Sequence, residues 1–229
     1  MTQFETEIRD VKSEVINMWQ LVLSQLTKAK EAMLAFDKDL AREVMAREKR
    51  VNALELKIDR DCENIFALYC PVAIDLRFLL AVLKINTNLE RIGDIADGVA
   101  RYIANSPVKF NKEFLASSRL IEMYNGSISI LSDTQASFEF ENTILARTIF
   151  SRDEVLDTIN KKADENISKY IHEDLNNISE ALNILSIIRK LERVGDQAKN
   201  IAEEIIFYAE AKVLKHKSNN PKNSKAEGQ

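Results

Sequence analysis

"NLERIGD" (residues 88–94) and "KLERVGD" (residues 190–196) spell one phrase twice: Leu-Glu-Arg, a β-branched residue, then Gly-Asp. Each copy sets two carboxylates four positions apart, Glu90 with Asp94 and Glu192 with Asp196. On a helix that spacing stacks both on one face. The surroundings say helix. In the first copy Val82, Ile85, Leu89, Ile92, Ala96, Val99 and Ile103 fall on one apolar stripe, and in the second Ile184, Ile187, Leu191, Val194, Ala198, Ile201 and Ile205 do the same. Both stripes keep the helical period.

The repetition extends beyond the phrase. "AREVMAREKRVNAL" (41–54) aligns with "ARTIFSRDEVLDTI" (146–159) at an offset of 105, and Met18-Trp19 aligns with Met123-Tyr124 at the same offset. The acidic phrases align at 102. The second half is therefore a shortened copy of the first, the signature of a duplicated unit. With only five glycines and three prolines, elements run long. The periodicity predicts helices at 4–36, 40–69, 75–104, 112–138, 141–171 and 174–216, with no strand. Asp39 is a candidate N-cap, and Pro71 and Pro107 mark breaks. The predicted fold is all-α, a tandem duplication of an elongated three-helix bundle with six long helices. Each helix spans roughly 45 Å. The units are 1–106 and 107–212, followed by a disordered basic tail at 213–229.

Composition narrows the function. The hydrophobic share of 45% and charged share of 30% describe an ordinary globular protein. A net charge of −4 argues against nucleic acid as a partner. The N-terminus is polar and acidic, without an apolar leader, and no apolar run is long enough to cross a bilayer. The expected location is the cytoplasm. Cys62 and Cys70 lack metal-site spacing and read as buried thiols. His172 and His216 form no ligand motif. No phosphate loop or nucleophile elbow appears, so the expectation is a protein that is not an enzyme. A metal-dependent hydrolase would need a general base that the phrase does not offer.

A like-charged pair on a charged helix is ordinarily a solvated face, and the angle from the stripe predicts that both pairs are exposed. Two features point to a site. Like charges at this spacing repel, and a glycine before each Asp weakens the helix. Gly93 and Gly195 point either to close approach by a neighbouring helix or to an opening beside the carboxylates. Hard cations seek clustered carboxylate oxygens, and the preceding helix offers more: Glu48 aligns with Asp153, Asp59 with Asp164, and Asn52 with Asp157. Arg91 and Arg193 read most simply as salt-bridge partners, with contact to a protein partner as the alternative.

"CPVAIDLRFLLAVLKINTNLERIGDIADGVA" (70–100) and "ISEALNILSIIRKLERVGDQAKNIAEEIIFY" (178–208) resemble the two repeats of the PhoU family, and the resemblance covers residues 4–212. It implies two tandem three-helix bundles, often in a homodimer. It also implies negative regulation of the phosphate-starvation response, with the protein linking the ATPase subunit of a phosphate ABC transporter to a PhoR-type sensor histidine kinase. Family members bind metal ions through Glu/Asp-x-x-x-Asp motifs. By position these are Glu90 with Asp94 and Glu192 with Asp196, joined by Glu48, Asp153 and Asp157. Magnesium or manganese, or iron or zinc clusters, are the implied ions. Asn52 departs from the acidic pattern, and Gln197 stands where a His is common. The alternatives are an accessory protein of another phosphate or anion transporter and a metal-free helical scaffold.

Overall fold

The computed structural model describes residues 2–214. Those residues form seven α-helices and one 3-10 turn, with no strand among them. The first unit comprises α1 (Gln3–Ala35), α2 (Lys38–Tyr69) and α3 (Ala73–Asn105). After the short α4 (Lys112–Ser117), the second unit comprises α5 (Leu120–Glu139), α6 (Thr143–Glu173) and α7 (Ile178–Glu210). The all-α tandem duplication predicted from the sequence is the observed architecture. The part of the predicted tail from residue 215 onward, with His216, lies outside the described residues.

Local chemistry sets the helix ends. A capping box opens α1: the Thr2 hydroxyl accepts from the Glu5 amide, and the Glu5 carboxylate accepts from the Thr2 amide. The α1–α2 turn closes on Phe36 in the left-handed conformation. Asp37, not Asp39, caps α2, accepting from the Asp39 and Leu40 amides. Cys70 is likewise left-handed just before Pro71, and it is exposed rather than buried. Cys62 is buried, which pushes its thiol up to about 12.

Two helices differ from the periodicity. The predicted helix at 112–138 is broken, because Arg119 takes a left-handed φ of 60°. The break lets α4 turn so that Phe114 stacks on Tyr170 of α6, with ring centroids 3.5 Å apart. The last helix begins at Ile178, after a 3-10 turn at Leu175–Asn177, and ends before a left-handed Ala211. Apolar periodicity does not register such changes of chain direction.

Both predicted stripes are fully buried. One continuous core joins the units. At their junction Trp19 of α1 tilts against Phe138 of α5 at 5.8 Å, and Phe138 stacks on Phe78 of α3 at 6.2 Å. The Trp19 indole N–H donates to the Leu131 carbonyl at 3.1 Å across the α1–α5 seam. α3 packs against α1, α2 and α7, and α7 against α3, α5 and α6. The two phrase-bearing helices are therefore the central ones.

Candidate functional site

α3 and α7 cross antiparallel. Phe78 meets Tyr208 edge-on at 5.5 Å, Lys84 Nζ lies 3.0 Å from Glu204 Oε2, and Gly98 faces Lys190. This register puts Gly93 and Gly195 at one level of the crossing, each turned toward its own unit. A side chain at Gly93 would meet Val51 of α2 and Gln25 of α1, whereas one at Gly195 would meet Asp153 and Leu156 of α6. Close approach, one of the two readings of these glycines, is present at both.

The acidic pairs consequently lie beside the crossing: Glu90 faces α2, Glu192 and Asp196 face α6, and Asp94 opens onto the α3–α7 seam. Exposure was expected for both pairs, but only Asp94 is exposed; Glu90, Glu192 and Asp196 are half-buried. The physical reason is that α3 and α7 bury more than one stripe, so a position off the main stripe still faces a neighbouring helix.

On the N-terminal flank Glu90 and Asp94 share their surroundings with Glu48 and Glu55 of α2. Burial, and then the charges of Asp94, Glu55 and Glu48, push the Glu90 carboxyl up to about 7 against the opposing pull of Arg91. Glu55 is raised too, by burial and by Asp59 and Asp94. The Asn52 amide donates to Glu48, while its own carbonyl oxygen is buried without a partner. Asn86, fully buried, donates to the Glu55 carbonyl at 2.9 Å and to Asp59 at 2.8 Å.

The C-terminal flank is built differently. Asp153 is 2% exposed and lies against the bare backbone at Gly195. Lys199 reaches in from α7, its ammonium 2.5 Å from Asp153 Oδ2 and 3.0 Å from Asp196 Oδ1. Burial lowers the Lys199 ammonium, but the hydrogen bonds to Asp153 and Asp196 outweigh it and hold the group well above the usual lysine range. Glu192 is raised by burial and by Asp196, Asp157 and Asp153.

The N-terminal flank gathers the carboxylates of Glu48, Glu55, Glu90 and Asp94, the residue type that hard cations take as ligands. Among the described residues no three His, Cys, Asp or Glu side chains converge on a point that would hold a metal ion. The C-terminal donors do not fit a cation as they stand, because an ammonium already sits between two of them. Arg91 and Arg193 form no ion pair among the described residues. They line a depression of about 330 Å³ on the α3–α7 seam with Asp94, Asp97 and Lys190.

Sequence reasoning missed Lys199 and Glu55. For Lys199 a signal existed: at the offset of 102 it stands opposite Asp97, a charge reversal just beyond two matching phrases. Glu55 carried no comparable signal, since its copy is Asn160.

The family model described as the PhoU domain matches residues 15–103 and 120–205, one copy on each three-helix unit. The chain is 32% identical over 214 residues to the phosphate-specific transport system accessory protein PhoU of Edwardsiella tarda, covering 93% of this chain and 87% of that protein. The crystal structure of PhoU from Pseudomonas aeruginosa superposes with a TM-score of 0.85 at 31% identity, covering 92% of this chain and 100% of that one. The phosphate transport system regulatory protein PhoU from Streptococcus pneumoniae gives 0.83 at 26% identity, with 93% and 99% covered. No described helix is long and apolar enough to cross a membrane.

Proposed function

The chain belongs to the PhoU family, and from that premise we propose that it negatively regulates phosphate uptake and the phosphate-starvation response as a cytoplasmic adaptor, not as an enzyme. The observation that carries the reading is the match to a phosphate transport accessory protein over nearly the whole length, with both units included. In this reading the protein, as a homodimer, engages the ATPase subunit of a phosphate ABC transporter and a PhoR-type sensor histidine kinase. Docking surface is available at the end of the molecule where α1 begins and α7 ends. There Val72, Ile74, Phe140 and Ile144 are exposed, near a concavity of about 600 Å³ lined by Phe4, Ile8, Ile74, Phe78 and Tyr208. Exposed apolar groups gathered in one region favour a protein partner.

A divalent cation, magnesium or manganese, held by Glu90 and Asp94 with Glu48 is part of the reading. It would offset the burial and the repulsion that raise Glu90 and stiffen the α2–α3 flank. Asp153, Asp157, Glu192 and Asp196 present similar donors around Lys199.

Deleting the gene tests the function. In phosphate-rich medium, phosphate-repressed reporter expression and phosphate uptake should both rise, and the wild-type gene should restore them. Unchanged repression and uptake would overturn the reading, and a defect confined to another anion would move the protein to a different transporter. Metal content and repression left intact by Glu90→Ala with Asp94→Ala would remove the cation from the account.

A further inference from the structure

The two phrases are identical in their acids yet diverge one turn later. Asp97 follows the first, and Lys199 stands at the matching position after the second. Asp97 turns to its own helix, accepting from Arg101 Nε at 2.6 Å. Lys199 turns across to α6 and bridges Asp153 and Asp196. The α2 counterpart of Asp153 is Glu48, which is half-buried and takes its hydrogen bond from Asn52. Asp153, with a shorter side chain, is drawn in against Gly195, and its second oxygen, Oδ1, is buried with no hydrogen-bond partner. A carboxylate at that depth needs a counter-charge, because an unpaired buried charge is strongly destabilising.

We propose that Lys199 is a tethered counter-ion that closes the C-terminal acidic flank to divalent cations, so that only the N-terminal flank is open to one. The lysine ammonium occupies the space between two of the donors a cation would need, and its positive charge repels an arriving cation. The duplicated motif is thereby divided: one copy accepts an exchangeable ion, while the other carries a permanent one and acts as a fixed brace between α6 and α7. This rests on the cation-binding part of the proposed function, and its test separates the two.

Manganese binding to the full chain is measured by equilibrium dialysis. Lys199→Met should bind one more equivalent per chain than wild type, and adding Asp196→Asn should remove that gain. In wild type, Asp196→Asn should leave the stoichiometry unchanged. Manganese should also raise the unfolding temperature of Lys199→Met more than that of Lys199→Met with Asp196→Asn. Lys199→Gln keeps a donor for Asp153 without the charge and serves in place of Lys199→Met if the latter fails to fold. The proposal is overturned if the charge-removing variant gains no equivalent, or if Asp196→Asn alone costs wild type one. The N-terminal reading answers to a different variant. If wild type binds no manganese, or Glu90→Gln costs it none, that reading fails even where the Lys199 variants gain a site.

Discussion

Alanine at the two matched glycines should have opposite consequences. In a helix interior Gly→Ala contributes about 1 kcal/mol of stability. At Gly93 the new methyl would stand 3.1 Å from Val51 Cγ1, so Val51 need yield only slightly, and the net change is about zero or a small gain. At Gly195 it would stand 2.9 Å from Leu156 Cδ1 and closer still to Asp153 Oδ1. Both neighbours are buried, and Asp153 is tied to Lys199, so neither swings aside freely. Overpacking of this kind costs about 1–3 kcal/mol, and loosening the Asp153–Lys199 pair adds to it. Gly195→Ala should therefore be about 1–3 kcal/mol less stable than wild type. In a chain of this size that lowers the unfolding temperature by roughly 2–4 °C per kcal/mol. Thermal and urea unfolding of both variants, side by side, is the assay. Asp153→Ala added to Gly195→Ala should recover part of the loss by vacating the space. Equal stability of the two alanine variants would refute the contact geometry at Gly195.

The raised carboxyl of Glu90 makes stability depend on pH. Its folded value of about 7 exceeds the usual 4.5, so between those values the folded protein holds a proton that the unfolded chain has released. Stability from this group is complete below about 4.5 and is lost as pH rises through about 7. Because water reaches the cluster, the effect is about 1 kcal/mol rather than the full value of the shift. With chelator present, urea unfolding should show Glu90→Gln gaining about that much on wild type across the window; parallel curves would contradict it. Trp19→Phe should cost about 1 kcal/mol by removing the indole donor to Leu131. Equilibrium unfolding of the variant checks this, and a loss within a few tenths of wild type would mean that the seam does not depend on that bond.

Much of the architecture was legible because helical periodicity is a local property. The stripe from Val82 to Ile103 is buried at every named position, and so is its copy from Ile184 to Ile205. Of the two readings of Gly93 and Gly195, close packing is the one the structure shows. The exposure of Glu90, Glu192 and Asp196 was misjudged, since one stripe cannot reveal that α3 and α7 are each covered by three other helices. The break at Arg119 was equally hidden. Its left-handed turn serves the Phe114–Tyr170 stack, a contact between residues far apart in sequence.

Spacing along one chain fixes which residues share a face, so the helices, their duplication and the acids that mark the two flanks can be read from the residues alone. What those acids meet depends on how the helices pack. Lys199 and Asp153 are separated by 46 positions and become partners only when α6 packs on α7. Burial and counter-charge are properties of the assembled neighbourhood, so two nearly identical phrases can end in unlike sites.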